Sequence, residues 1–355
     1  MKILITGHYS EIFREQYCFN NSDSSIHEGC FNRMIELKKS FKKLDMDLIG
    51  QDSLNDADSY DAVIIWDHPK DKKMRQEINN ISVPIYLIAE EAPIILPENF
   101  IDEFTKKYKR IFTWMNVLID GKRYIKNYSL FPDLIASDRA RKQDIPIAKK
   151  KGKVLIASLR PCKHKNSRYH LRKEIALWYK ENYPQELDIY GRYWDRHYFA
   201  VEGIIGRILN SNKLNFIFNT KKYQKLYKGI LKSKNYDLKG YLFQFCMENA
   251  EGYDGYVTEK IFDALICRNI PIYYPSFPNN VNMLIPKNVY INAIDFKSIE
   301  ELNSHLNNLS FSAIEEYFYN AEIFLDNLPE ELKPNYAADK IAKLIKLDLS
   351  GSEYI

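Results

Sequence analysis

Two successive series of short apolar runs, separated by stretches with helical spacing, constrain this chain more than any other feature. In the first half the runs are Lys2–Thr6, Ala62–Trp66, Pro84–Ala89 and Arg110–Trp114, with apolar residues at helical intervals over Asn32–Leu44. In the second half they are Lys153–Ser158, Leu187–Tyr190, Tyr241–Met247 and Ile270–Tyr274, interleaved with helical patterns over Tyr169–Tyr179 and about Val257–Cys267. Short strands that are apolar throughout are covered on both faces, which is the condition of a parallel sheet flanked by helices. Two such series predict an α/β chain of two Rossmann-like, doubly wound domains facing an interdomain cleft. The charged stretch Asp138–Lys153 contains Pro146, has no clear period, and reads as the connection. The expected division is an N-terminal domain over 1–150, a C-terminal domain over 151–330 and a helical segment over 331–355. In that last segment Ile341, Leu344 and Ile345 share one face beside Lys340, Lys343 and Lys346, the pattern of a terminal helix packed on the protein. The stretch Arg196–Gln224 fits neither series and reads as a helical insertion or a flap.

Composition narrows the function classes. Lys+Arg 51 against Asp+Glu 47 leaves a net charge of only +4, which excludes a dedicated nucleic-acid binder but not a protein with one anionic ligand. Five scattered cysteines without a C-x-x-C pair exclude a zinc ribbon or disulfide scaffold and point to a reducing compartment. The apolar start of the chain is too short for a signal peptide, and no run is long enough to span a bilayer. The expected location is the cytoplasm, with at most peripheral contact at the inner face of a membrane. Neither G-x-G-x-x-G nor G-x-x-x-x-G-K-[ST] occurs, so dinucleotide oxidoreductase and P-loop readings lose their support. Asp56-Ala57-Asp58 has the form of a D-x-D metal motif but lies in a Ser/Asn/Asp-rich loop, where turn chemistry accounts for it. No metal is expected.

Three groups of residues stand where chemistry would be done. Glu248-Asn249 ends a buried strand, and the loop Gly252–Gly255 leads into Tyr256-Val257-Thr258-Glu259-Lys260 at a helix start. Free backbone N–H groups there, with the charge of Lys260, favour a phosphate. Glu90-Glu91-Ala92-Pro93 ends a strand in the other half. Of two adjacent carboxylates on an extended chain only one faces the cleft, and a carboxylate so placed suits a general base. Asp67 ends the neighbouring strand and is the fallback. Arg160, Arg168, Arg172 and Arg192 follow strands of the second half and offer paired donors for diphosphate oxygens.

The second half of the chain resembles the α-1,3/4-fucosyltransferases, glycosyltransferase family ten, in their bacterial form. The strand ending Phe243–Asn249, the short loop and Tyr256-Val257-Thr258-Glu259-Lys260 are similar to the pattern E-N-x-x-G-Y-x-x-Y-V-T-E-K. Tyr227-Lys228-Gly229 with Lys234 and Tyr241, and the strand Ile270–Tyr274, are similar to its flanks, and Glu91-Ala92-Pro93 to its E-S-P segment. Two departures are Pro275, where the family usually has glycine, and a longer segment between Gly191 and Tyr227. The resemblance implies a GT-B enzyme that moves fucose from GDP-fucose to a glycan hydroxyl with inversion, on a bacterial surface glycan such as lipopolysaccharide. It implies donor contacts by Asn249, Tyr256, Glu259, Lys260, Arg192 and Arg172, with Glu248 and Thr258 beside them, and Glu91 as base with Glu90 as substitute. No cofactor is implied beyond the nucleotide-sugar substrate. The alternatives are the same fold with another nucleotide sugar, or a non-catalytic glycan-binding relative.

Overall fold

The structure of the chain, a computed structural model, describes all residues except 22–29, 129–144, 161, 198, 200, 202–204, 206–207, 210–219, 232–236, 278–283, 334 and 352–355. Most of the stretch 196–226, part of the connection after Asp138, and Lys234 therefore lie outside the described residues. Met1–Ile135, Tyr253–Glu259 and Leu328–Ile355 form one compact unit; Ala136–Gly252 and Lys260–Asn327 form the other.

The first unit is built on a six-stranded sheet: β1 (Lys2–Gly7), β2 (Asp47–Gly50), β3 (Ala62–Trp66), β4 (Ile85–Ala89), β5 (Arg110–Thr113) and β6 (Tyr124–Lys126). All its pairings are parallel, and its spatial order is β2-β1-β3-β4-β5-β6. The second unit holds β7 (Lys151–Ile156), β8 (Leu187–Tyr190), β9 (Tyr241–Met247), β10 (Ile270–Tyr274) and β11 (Ile291–Asn292), all parallel, in the order β11-β10-β9-β7-β8. Both sheets are wound alike. The second strand lies outside the first, the third on its other side, and the rest follow outward, so the winding reverses between β1 and β3 and between β7 and β9.

Apolar runs buried on both faces explain this arrangement. Along β3, Ala62, Ile64 and Trp66 join one core and Val63 and Ile65 the other; along β4, Tyr86 and Ile88 alternate with Ile85, Leu87 and Ala89 in the same way. Successive side chains of a strand point to opposite faces, so each sheet needs a layer on both sides. The described helices of eight or more residues are α1 (Asn32–Lys43), α2 (Lys72–Asn80), α3 (Tyr169–Asn182), α4 (Glu259–Ile266), α5 (Ile299–Asn307), α6 (Phe311–Asp326) and α7 (Tyr336–Ser350). Asp71, Ser298 and Ser310 cap α2, α5 and α6 by accepting from Met74, Glu301 and Ala313 N–H groups. Helix α7 buries Ile341, Leu344 and Ile345 in the core that also takes Met34, Leu37 and Phe41 of α1, and Ser40 Oγ donates to Asp339 at 2.6 Å. The terminal helix is thus part of the first unit, and its apolar face is occupied. All five cysteines are free thiols. Among the described residues no helix is long and apolar enough to cross a membrane.

Candidate active site

In the second unit the carboxyl ends of β7 and β9 meet where the winding reverses. Strand β9 runs into Glu248, which is fully buried. A buried carboxylate needs partners, and Glu248 has them: the Tyr273 hydroxyl donates to Oε1 at 2.9 Å, and Lys260 Nζ lies 3.5 Å from Oε2. The next residue, Asn249, accepts from Arg172 at 2.7 Å, while the same guanidinium donates to the Ser158 carbonyl beyond β7 at 3.1 Å and stacks on the Tyr169 ring. Arg168 donates its backbone N–H to the Asn249 carbonyl and places its side chain 3.4 Å from Glu251. At the end of β8, Gly191 has φ +135°, and a Cβ there would stand 2.1 Å from the Ala157 carbonyl, so only glycine lets β8 close on β7. Arg192 follows directly, its carbonyl accepting from Leu159 N–H. Arg160 and Arg196 both lie against the Tyr193 ring.

In the first unit the carboxyl ends of β3, β4 and β5 carry a different cluster. Asp67 is buried at φ +60°, a backbone conformation that non-glycine residues seldom take. Its Oδ1 accepts the N–H groups of Glu90 (2.8 Å) and Glu91 (3.1 Å) and the Asn99 amide (2.7 Å). One side chain therefore fixes the backbone of both glutamates. Glu90 is buried and ion-paired to Arg33 of α1, whose guanidinium lies 5.1 Å from the Trp66 ring centre. Burial pushes the Glu90 carboxyl up to about 7; Arg33 opposes this, and Asp67 adds to it. Burial also raises Asp67 against the hydrogen bonds it accepts. For Arg33 burial works against the charge, but Glu90, Asp67 and Glu259 outweigh it and hold the guanidinium above its ordinary value. Glu91 is half-buried beside this cluster.

The segment Tyr253–Glu259 belongs to the first unit by its packing. Tyr256 lies on Trp114 with ring centres 4.7 Å apart, and Trp114 Nε1 donates to the Glu90 carbonyl at 2.8 Å. Asn116 donates to Asp254 at 2.7 Å. Gly255 takes φ +87° with space for a Cβ only 2.3 Å from the Trp114 carbonyl, so this contact requires glycine. Thr258 is buried just before α4, and Glu259 opens the helix.

The sequence-predicted donor residues therefore fall in two places: Glu248, Asn249, Lys260, Arg172 and Arg192 in the second unit, Tyr256, Thr258 and Glu259 in the first. Glu90 and Glu91 keep their expected position at a strand end. Arg33, Asn99 and Trp114 were not signalled by the sequence; each is an ordinary residue of a helix, loop or strand end until the fold brings it beside Glu90. Asp58 accepts from Ser82 N–H (2.9 Å) and Oγ (2.8 Å), the turn chemistry expected of that loop. Among the described residues no group of three histidine, cysteine or acidic side chains is arranged to hold a metal.

Residues 148–321 match the family described as glycosyltransferase family 10 (fucosyltransferase), C-terminal part. The α-(1,3)-fucosyltransferase FucT of Helicobacter pylori is 46% identical over 71 residues, which is 20% of this chain and 14% of that enzyme. A solved α1,3-fucosyltransferase with GDP-fucose superposes with a TM-score of 0.57 at 16% identity, covering 100% of this chain and 91% of that one. The phage T4 glucosyltransferase BGT with UDP-glucose gives 0.54 at 11% identity, covering 98% of this chain and 100% of its own. The fold is the GT-B fold of these enzymes.

Proposed function

From the match of residues 148–321 to glycosyltransferase family 10, we propose that the chain transfers fucose from GDP-fucose to a glycan hydroxyl with inversion. The observation that carries this reading is the pairing of Arg172 with Asn249 and of Lys260 with Glu248 where the second sheet reverses its winding, the place where such sheets bind nucleotides. The structural likeness to an α1,3-fucosyltransferase holding GDP-fucose supports a GDP-sugar as donor.

In the proposed reaction the acceptor oxygen attacks the anomeric carbon while the bond from that carbon to the β-phosphate oxygen breaks. The electron pair leaves with GDP, and Lys260, Arg172 and Arg192 stabilise the charge that gathers there. Asn249, Tyr256, Thr258 and Glu259 complete the donor contacts. Glu91 takes the acceptor proton. Its backbone is held by Asp67, and its neighbour Glu90 by Arg33. One displacement inverts the centre, and the proposal calls on no metal because protein cations carry the charge. The acceptor is assigned to the first unit and to a bacterial surface glycan such as lipopolysaccharide, worked on from the cytoplasm.

One observation favours a second reading with another nucleotide sugar. Pro275 stands where the family usually has glycine, and the adjacent buried Ser276 takes the Gly252 N–H on its carbonyl at 2.7 Å, so the change touches the donor loop itself. A thermal-shift screen separates the readings, since a ligand of the folded state raises Tm. GDP-fucose should raise Tm most, with release of GDP once a galactose- or N-acetylglucosamine-ended acceptor is added. A larger shift with GDP-mannose or UDP-glucose would move the assignment to that donor. Glycan binding without GDP release would make the protein a lectin.

A further inference from the structure

A groove of about 740 Å³ runs along the outer edge of the first sheet, between β6 and α7. Its charged lining is wholly basic: Lys109, Arg110, Lys122, Arg123, Lys126 and Lys340. Its volume is that of a ligand site. It extends from the start of β5, at Lys109 and Arg110, to the carboxyl end of β6, at Lys126, a strand length of roughly 10 Å. Several of these cations are held in place by the protein. Arg110 is paired with Asp348, and the backbone N–H groups of Lys122 and Arg123 donate to Asp120. Arg123 donates to the carbonyls of Thr105 and Tyr108, and Lys340 to that of Lys126. Like charges gathered without an equal number of acids cost energy, and an anion removes that cost.

The groove's inner end is linked through Trp114 to the strand end that carries the candidate base. Lys126 Nζ donates to the Trp114 carbonyl and to Asn116 Oδ1, both at 2.6 Å, and Trp114 donates in turn to the Glu90 carbonyl. Two of the three ammonium protons of Lys126 are thus used, and the ammonium also lies 4.6 Å from the centre of the Tyr128 ring, so this cation is fixed at the inner end of the groove. Burial, with Lys340 adding to it, pushes Lys126 down to about 8, and Asp254 opposes this. A bound anion would push it back up.

We propose that this groove binds an anionic saccharide chain, the charged remainder of an acceptor whose reacting hydroxyl lies toward the Glu90–Glu91 end. The saccharide class rests on the glycosyltransferase reading; the anionic character rests on the lining alone. A concave site with its inner cation half-buried suits a chain laid into it better than a flat membrane surface.

The test is direct binding, without donor or turnover, using tetragalacturonate as the anionic probe and chitotetraose as the neutral one. Wild-type protein should bind tetragalacturonate at least tenfold more tightly than chitotetraose, and the preference should shrink as salt is raised. Lys122→Gln/Arg123→Gln/Lys340→Gln should weaken tetragalacturonate at least tenfold. The exposed pair Lys109→Gln/Lys122→Gln should weaken it less. In both variants an unchanged GDP-fucose thermal shift shows that the fold and donor site persist. Equal affinity for the two probes, or full affinity in a variant that keeps its donor shift, overturns the proposal. So does loss of binding confined to vesicles of phosphatidylglycerol and phosphatidylcholine, which would make the groove a membrane contact. If tetragalacturonate binds as expected while no nucleotide sugar does, the groove stands and the transferase reading falls.

Discussion

The two candidate clusters are built in opposite ways. In the second unit the chemistry is local in sequence: Glu248, Asn249 and Lys260 come from one strand, its loop and the next helix, and a thirteen-residue pattern announces them. In the first unit Arg33, Asp67, Glu90, Asn99 and Trp114 come from a helix, three strand ends and a loop, far apart in the chain. The second cluster uses fixed cations, suited to charge that appears on a leaving diphosphate. The first uses burial and shared hydrogen bonds, suited to holding a carboxylate near neutral pKa. A contiguous motif can be read one-dimensionally. A site assembled at several strand ends cannot.

The sharpest way to break the comparison is at the base. Glu91→Gln keeps size and hydrogen bonding but cannot take a proton, so transfer should fall by roughly a hundred to ten thousand fold. Donor thermal shift should persist. Glu90→Gln should cost less, because its role here is to hold charge beside Arg33. If Glu90→Gln is the inactive variant and Glu91→Gln is not, the base moves by one residue; if neither matters, Asp67 becomes the candidate.

Next in size is the other cluster. Lys260→Ala should reduce the rate of GDP release on the order of a hundredfold, the scale of losing one preorganised charge-stabilising donor. It also leaves Glu248 buried without its cation, so stability falls too. Lys260→Met/Glu248→Gln keeps the site neutral; recovery of Tm without recovery of rate assigns the loss to chemistry, whereas recovery of both makes Lys260 a folding residue.

This contrast explains what was legible. Tyr241–Met247 and Ile270–Tyr274 were readable to the residue because strands inside a parallel sheet need nearly continuous apolar runs, and Leu187–Tyr190, though at the edge of its sheet, keeps Leu187 and Ile189 buried. The three other edge strands were not: Asp47–Gly50, Tyr124–Lys126 and Ile291–Asn292 are short and carry polar residues, so nothing in their period sets them apart from loops. The location of Tyr256 and Glu259 in the first unit was equally invisible, since it depends on Gly255 meeting the Trp114 carbonyl, a contact between distant segments. Arg33 was read only as part of an amphipathic helix, because its partner lies 57 residues away.

A pH profile sharpens the first cluster further. With Glu90 held near 7 by burial, kcat/KM should rise with pH through about that value as the carboxyl loses its proton, by no more than the factor that Glu90→Gln costs. Arg33 opposes the upward shift, so Arg33→Met should move the rising limb to higher pH by about one unit and cost about 3 kcal/mol of stability from the broken buried pair. Arg33→Lys should restore most of the limb's position. A limb that does not move in Arg33→Met would separate Glu90 from the titration seen in the rate.

The smallest effect is expected at Asp56-Ala57-Asp58, and it tests the comparison from outside both clusters. If protein cations carry the leaving charge, excess chelator should leave GDP release within about twofold of its starting rate, and Asp58→Asn should do the same. Loss of turnover on chelation, restored by manganese or magnesium and abolished by Asp58→Asn, would replace the cation mechanism with a metal one. The role left to Asp58 is structural. The Ser82 N–H and hydroxyl hold its carboxyl below the ordinary value of 3.8. A carboxyl lowered in the folded state stabilises it fully above the unfolded pKa and ceases to do so as pH falls through the folded one. The small Tm deficit of Asp58→Asn should therefore be constant from neutral pH down to about 4 and vanish below that. A deficit that persists unchanged at pH 2 would mean that the carboxylate charge is not what Ser82 recognises.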